Sequence, residues 1–484
     1  MSTSQRHVTP PKDRLSNGQK FAYGLGSICN NLLGGAIGYM SIVLNVGLGM
    51  NPGLVGTLQA IPRLTDALTD PVMGYVSDNT RTRYGRRRPY IFFGAIAVGL
   101  VFALMWQLPA GYSENFYFWF FLAGSIIFYL CYTIFATPWV ALGYEMTPDY
   151  HERTRLMAVH NFMGQFAWIS LPWFYAIMEN DRLFTDSVQG ARALAIIIGI
   201  FVAVVGIMPA IFCKERFKPE DQDQNTDKAV SKMEGLINNV KEFGNGLVIT
   251  LKCGEFVKLC IGTFCLFNGI MLVNSFGSYI AIFYVAGGDT DLGAKYIGVL
   301  GTVNTASTLI AIYFATWLAA RIGKQKAFIF ATSCTLISCI MKWWCYDPLV
   351  PWKILIPQPL CSMGMGGLFT LMGSMIADVC DMDELETGKR REGMFGSIYW
   401  WMVKLGMALA FAASGYLLNW TGFIVDLGGA QTSTTFFWMR VVDAGVPFVA
   451  SAISIIAVSM YKLTEERSQE IRLELDKRHS KVKA

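Results

Sequence analysis

Apolar stretches of about 18–25 residues, the length a helix needs to cross a bilayer, recur along the whole chain. They predict twelve spans, near 22–48, 52–77, 90–109, 116–142, 156–178, 190–213, 256–285, 292–320, 327–346, 353–377, 394–419 and 439–462. Polar residues interrupt the second, fifth and eleventh. The second is the most unusual, because LVGTLQAIPRLTDALTDPVMGYV sets Arg63, Asp66 and Asp70 at helical spacing on one face, which Gln59 and Gly74 extend. A charged side chain at mid-bilayer costs on the order of 2.5–3.5 kcal/mol on insertion scales, so these three must face a partner or a wet cavity. A polar stripe on one face of a buried helix points to an ion or solute path.

The segments between spans alternate in character. RTRYGRRRP (81–89), HERTR (151–155), the 214–255 stretch, RIGKQK (321–326) and GKRRE (388–392) are basic or strongly charged, whereas AGYSEN, GGDTD and YDPLVP carry no Lys or Arg. The positive-inside rule then puts the first set and both termini in the cytoplasm. No cleavable signal peptide is expected, since the polar start runs directly into a long apolar stretch. Arg83-Tyr84-Gly85-Arg86 returns in weaker form as Arg321-Ile322-Gly323-Lys324, about half the chain later and again after the second span of a six-span unit. The expected organisation is a six-helix bundle over 1–216, a cytoplasmic linker over 217–255 with a short amphipathic helix in its later part, a second six-helix bundle over 256–462, and a charged helical tail over 463–484.

Composition narrows the class. Charged residues make up 15% of the 484, below the roughly 25% of soluble domains, while 53% are hydrophobic, as for a polytopic helical membrane protein. The eleven cysteines are scattered through apolar segments such as LKCGEFVKLCIGTFC, with neither a disulfide framework nor zinc spacing, and read as small core residues. No nucleotide loop, metal cluster or nucleophile triad stands out, and no large soluble domain follows residue 462. An enzyme or a membrane sensor is therefore a minor alternative. No organic cofactor and no nucleic-acid partner are expected.

The run DALTDPVMGYVSDNTRTRYGRRRPYI resembles the second span and following loop of the glycoside–pentoside–hexuronide cation symporters, the melibiose-permease-like branch of the major facilitator superfamily. KFAYGLGSICNN, CYTIFATPWVAL, ERTRLMAVHNF and IADVCDMDELETGKRREGMFGSIYWWMVKLG follow the same family in order, so the resemblance covers most of the chain. It implies an all-α major facilitator fold of two six-helix bundles, a central sugar site and alternating access in a bacterial inner membrane. By place in the motif, Asp66 and Asp70 are the carboxylates that bind the coupling cation, Na⁺ or H⁺, and Thr133 is the hydroxyl beside them. Lys404 matches a family lysine, expected to pair with Asp66 or Asp70 until a cation binds. Three charged positions of melibiose permease fall here on Ala136, Asn31 and Asn161, which points away from a galactoside.

A pyranose offers hydroxyls at its edge and C–H groups on its face, so a sugar site needs amides and aromatics together. The candidates for substrate contact are Asn30, Asn31, Arg63, Tyr132, Asn161, Gln165, Phe369, Trp400 and Lys404, with Trp139 and Trp401 as further aromatics. His160 reads as a hydrogen-bonded histidine or a proton carrier. The retained Arg63 and Lys404 suggest that the sugar is anionic. Charged residues at the cytoplasmic ends, Asp78, Arg83 and Arg86 in the first half with Asp378, Asp381 and Arg390 in the second, form a candidate gate. The expected function is uptake of a sugar, glycoside or uronide with a cation, by a monomer, with a lysolipid or other amphiphile as the alternative cargo.

Overall fold

A computed structural model describes residues 10–78, 80–109, 111–215, 246, 249–388 and 391–483. Its long elements are helices: α1 (Asn17–Met40), continued by α2 (Ile42–Val46), α3 (Pro52–Asp78), α4 (Arg88–Met105), α5 (Glu114–Glu145), α6 (Tyr150–Ser170), α7 (Trp173–Met178), α8 (Ser187–Val205) and α9 (Met208–Phe212). The later ones are α10 (Gly254–Tyr279), extended by a π-helical turn (Ile280–Val285), α11 (Thr290–Ile322), α12 (Lys324–Cys345), α13 (Gln358–Thr387), α14 (Glu392–Trp420), α15 (Ser433–Ser459) and α16 (Glu465–Lys483). Ten helical stretches among the described residues are long and apolar enough to cross a membrane. The expected second and fifth spans are helical as well, as α3 and α6–α7. The polar residues in them, Arg63, Asp66 and Asp70 in α3 and His160, Asn161 and Gln165 in α6, keep their apolarity below that of the ten.

Local sequence explains where the helices begin. Ser16 accepts the Gln19 amide at 3.2 Å while the Gln19 side chain accepts the Ser16 amide at 3.2 Å, a reciprocal cap that starts α1. Asp149, Asp186 and Asp289 cap α6, α8 and α11 through their carboxylates. The expected linker over 217–255, with its amphipathic helix, lies mostly outside the described residues.

The chain divides into two compact units, Met1–Met50 with Ile61–Leu236, and Asn51–Ala60 with Ile237–Ala484. In the first, α4 packs tightly on α5 and α8; a Cβ on Gly99 would lie 2.4 Å from the Gly199 carbonyl oxygen, so only glycine allows that approach. In the second, Phe256, Phe328, Met372, Met375 and Phe395 are fully buried in one core, to which the tail helix α16 adds Ile471 and Leu475. The 51–60 segment joins this unit through Asn419 Nδ2, which donates to Asn51 Oδ1 at 2.6 Å, and through a 3.3 Å contact between the Thr57 and Tyr416 hydroxyls.

The repeated tetrapeptide occupies the same place in each unit. Gly85 sits between α3 and α4 at φ 108°, and Gly323 between α11 and α12 at φ 86°. Both are in the region L side chains avoid, so glycine is required at both turns. At the first, the Glu215 carboxylate accepts the amides of Arg86, Arg87 and Arg88 at 2.7, 2.9 and 2.8 Å. These are donors that the start of α4 leaves unpaired, so Glu215 serves as its cap from 127–129 residues away.

Candidate functional site

The second-span carboxylates of the first unit meet hydroxyls from α5. Asp66, 4% exposed, accepts from Thr133 Oγ1 at 3.1 Å, and Asp70, half-buried, accepts from Thr137 Oγ1 at 3.0 Å. Thr69 Oγ1 lies 3.2 Å from Thr133 Oγ1 and joins the two helices a third time. Asp66 to Asp70 and Thr133 to Thr137 are each one helical turn, so α3 and α5 run side by side in the same direction as a two-rung ladder. The spacing in α3 puts both carboxylates on the face that meets α5. Thr137 escaped the sequence reading, although its position one turn beyond Thr133 was the available signal.

Next to the ladder, α1 contributes polar groups. Arg63 donates to the Gly34 carbonyl at 2.8 Å and lies over the Tyr129 ring, 5.6 Å from its centroid. Tyr132 donates to Asn30 Oδ1 at 2.9 Å, and Asn31 Nδ2 donates to Ser27 Oγ at 3.3 Å. The expected residues Asn30, Asn31, Arg63, Tyr132, Asp66, Asp70 and Thr133 are thus brought together on α1, α3 and α5. On α6, Asn161 is exposed and Gln165 half-buried. His160 stacks on Trp139 with ring centroids 5.3 Å apart and lies tilted against Tyr23 at 5.7 Å, which makes it and Trp139 parts of an aromatic cluster.

Phe369 on α13 and Trp400 and Lys404 on α14 belong to the second unit. Phe369 meets Phe267 edge-on with centroids 6.0 Å apart, Trp400 meets Tyr399 edge-on at 5.5 Å, and Lys404 is half-buried. This unit holds a buried charge cluster that the sequence reading overlooked. Lys342 Nζ lies 2.9 Å from Asp443 Oδ2, and the Tyr346 hydroxyl donates to the same oxygen at 2.6 Å.

The charged helix ends are paired inside each unit. Arg87 reaches Asp78 at 2.6 Å and Glu145 at 2.9 Å, Arg86 also pairs with Glu145, and Arg83 stacks over Tyr84 at 4.7 Å. In the second unit Lys324 pairs with Asp378 at 2.5 Å and Arg391 Nε donates to Asp383 at 2.8 Å. Asp381 is half-buried, and Arg390 lies outside the described residues.

Long apolar helices with a face of carboxylates and hydroxyls where α3 meets α5 point to a membrane transporter. The chain belongs to the family described as MFS/sugar transport protein, whose model matches residues 22–465. It is 25% identical over 470 residues to a glucuronide carrier protein homolog of Escherichia coli (strain K12), covering 94% of each chain. It is also similar to the isoprimeverose transporter of Lactiplantibacillus pentosus, at 22% identity over 98% of this chain and 94% of that one. A sodium-dependent lysophosphatidylcholine symporter of Danio rerio is 23% identical over 96% of this chain and 90% of its own. Among solved structures, the fold matches a D-xylose-proton symporter with a TM-score of 0.59 at 13% identity, over 90% of this chain and 95% of that one. The motif resemblance to the glycoside–pentoside–hexuronide cation symporters is thereby borne out: this is a multi-pass membrane transporter of that family.

Proposed function

We propose that the protein imports a sugar, glycoside or uronide together with Na⁺ or H⁺, as a monomer in a bacterial inner membrane, by alternating access across twelve spans with both termini cytoplasmic. The observation that carries the reading is the pair Asp66 and Asp70, buried and half-buried in a membrane helix and each fixed by a hydroxyl of α5. A carboxylate on a membrane helix marks a functional position, and a small cation is a ligand that carboxylate and hydroxyl oxygens suit. Linkage then makes cation and sugar raise one another's affinity.

Arg63, Asn30 and Tyr132 beside the ladder suit a sugar carrying hydroxyls and an acidic group. Support for an anionic cargo comes from the glucuronide named for one relative, and for a pentose-containing one from the isoprimeverose named for another. The lysophosphatidylcholine symporter among the relatives supports a second reading, an amphiphile as cargo. In the sugar-transport cycle, the charged residues at the cytoplasmic helix ends, Asp78, Arg83, Arg86, Asp378, Asp381 and Arg390, act as a gate that makes and breaks with the change of access, a few kcal/mol being enough to bias such a switch.

Counterflow in proteoliposomes preloaded with a glucuronide, a pentose disaccharide or lysophosphatidylcholine tests the cargo. Exchange with one of the sugars, competed by free sugar and not by the lysolipid, is the expected result. Exchange with the lysolipid alone would overturn the sugar reading.

A further inference from the structure

A polar side chain on a membrane helix turns to a neighbouring helix or a wet cavity, whereas exposed apolar side chains mark the face that meets lipid. In α11 the two lie on opposite sides. Ile310, Tyr313 and Trp317 are exposed and fall on one stripe at helical spacing, while Asn304, also exposed, lies about 180° round the helix from Tyr313. Asn304 shares its side with the buried Ala311 and Ala315. That side meets α13, where a Cβ on Gly366 would lie 2.7 Å from the Ala311 Cβ. An amide exposed there looks into a gap between helices and not into lipid. The Ser362 hydroxyl of α13, fully buried, holds it in one orientation by donating to Asn304 Oδ1 at 2.6 Å. The Nδ2 group, with two N–H donors, has no hydrogen-bond partner among the described residues. Ser362 also begins a row on α13 that continues through Phe369 and Gly373, two and three turns on. Phe369 is 49% exposed and a Cβ on Gly373 would meet nothing within 4 Å, so open space borders the row.

We infer that Asn304 contacts the sugar through Nδ2, donating to a hydroxyl or carboxylate oxygen, and that Ser362 is the positioning residue that aims it. The inference rests on the sugar-transport reading above and adds to it a polar contact from the second unit. An amide donor and an exposed ring on adjoining helices match a pyranose, the one for its oxygens and the other for its C–H face. An amide already fixed by a buried hydroxyl loses little freedom when cargo arrives, so its hydrogen bond counts towards affinity. A cargo with no oxygen at this place leaves the donor unpaired, which makes Asn304 a determinant of specificity.

The test is counterflow by the full-length protein in proteoliposomes, with labelled methyl glucuronide and labelled xylobiose as the two sugars, for wild type, Asn304→Ala, Asn304→Leu, Ser362→Ala and Ile310→Ala. For the sugar that wild type exchanges, the half-saturating concentration should rise about tenfold in both Asn304 variants, the effect of one lost hydrogen bond, and about threefold in Ser362→Ala. Maximal exchange rate and the melting temperature without sugar should stay near wild type, and Ile310→Ala, on the apolar stripe, should match wild type throughout. Two replacements of different size at Asn304 keep the test readable if one packs badly. Half-saturation unchanged in both, whether or not maximal rate and melting temperature fall, would overturn the contact and leave the sugar reading standing. An unchanged value in Ser362→Ala would overturn its positioning role. Wild type that exchanges lysophosphatidylcholine and neither sugar would remove the sugar reading, and this inference with it.

Discussion

Asp66 and Asp70 differ in exposure as well as in partners, and that difference bears on what each replacement should do. Asn at either position keeps the shape and loses the charge that a cation needs. Uphill accumulation by Asp66→Asn and Asp70→Asn should therefore disappear, while sugar exchange down its gradient survives to a greater degree. Parallel uptake and counterflow assays measure the two activities, and equal loss of both would mean that the carboxylates are structural. The Lys342, Asp443 and Tyr346 cluster calls for the opposite kind of test. Removing one partner strands a buried charge, so Asp443→Asn is expected to cost about 3–5 kcal/mol of stability, and Lys342→Met combined with Asp443→Leu to recover most of it. Denaturation of the two variants in detergent compares them. The carboxylates of α3 were legible in the sequence because charge inside an apolar run has few explanations. Lys342 and Asp443 were not, since they lie 101 residues apart and each reads alone as a charge near a helix end. Thr137 was hidden for another reason: an intramembrane threonine is normally content with its own helix.

At the level of elements, capping from a distance recurs. Glu152 at the start of α6 is fully buried, accepts the Leu15 amide at 3.0 Å, and pairs with Lys20 at 2.7 Å and Arg155 at 3.0 Å, tying the entry of α1 to α6. Burial opposes its charge, but the hydrogen bonds from Lys20, Leu15 and Arg155 outweigh that and hold its pKa below the ordinary 4.5. A depressed carboxylate contributes stability above the unfolded value and loses it as pH falls through the folded one. The stability difference between wild type and Glu152→Gln should thus be full above about pH 4.5 and shrink below it, as read from melting temperatures across that range. A difference that stays constant to the lowest pH would mean that the carboxylate charge is not what holds α1. The tail helix α16 gives a second element-scale expectation. Ile471 and Leu475 sit in the core of the second unit and Arg478 donates to the Leu385 carbonyl at 2.7 Å. Leu475→Ala should cost about 2–5 kcal/mol, whereas a tail with no packing role would tolerate it. Hydrophobic pattern showed the tail to be a helix, but its excess charge concealed that one face is buried.

For the whole molecule, the span lengths made the all-helical architecture legible, because lipid demands long apolar helices. Among the described residues ten helices are long and apolar enough to span, and α3 and α6 fall short of them because polar side chains interrupt both. Each of the two units contains one copy of the repeated turn motif, with Gly85 and Gly323 both at a positive φ that few other residues adopt. What sequence could not give was the grouping of 51–60 with the second unit, which rests on contacts between segments more than 350 residues apart.

The central claim is that a cation loaded at Asp66 and Asp70 drives sugar uptake. Proteoliposomes holding the purified protein, given an inward sodium or proton gradient and a labelled glucuronide or pentose disaccharide, test it most directly. Accumulation above the external concentration, abolished by collapsing the gradient and absent in Asp66→Asn, is the expected result. Sugar entry that stops at equilibrium whatever ion gradient is imposed would contradict it.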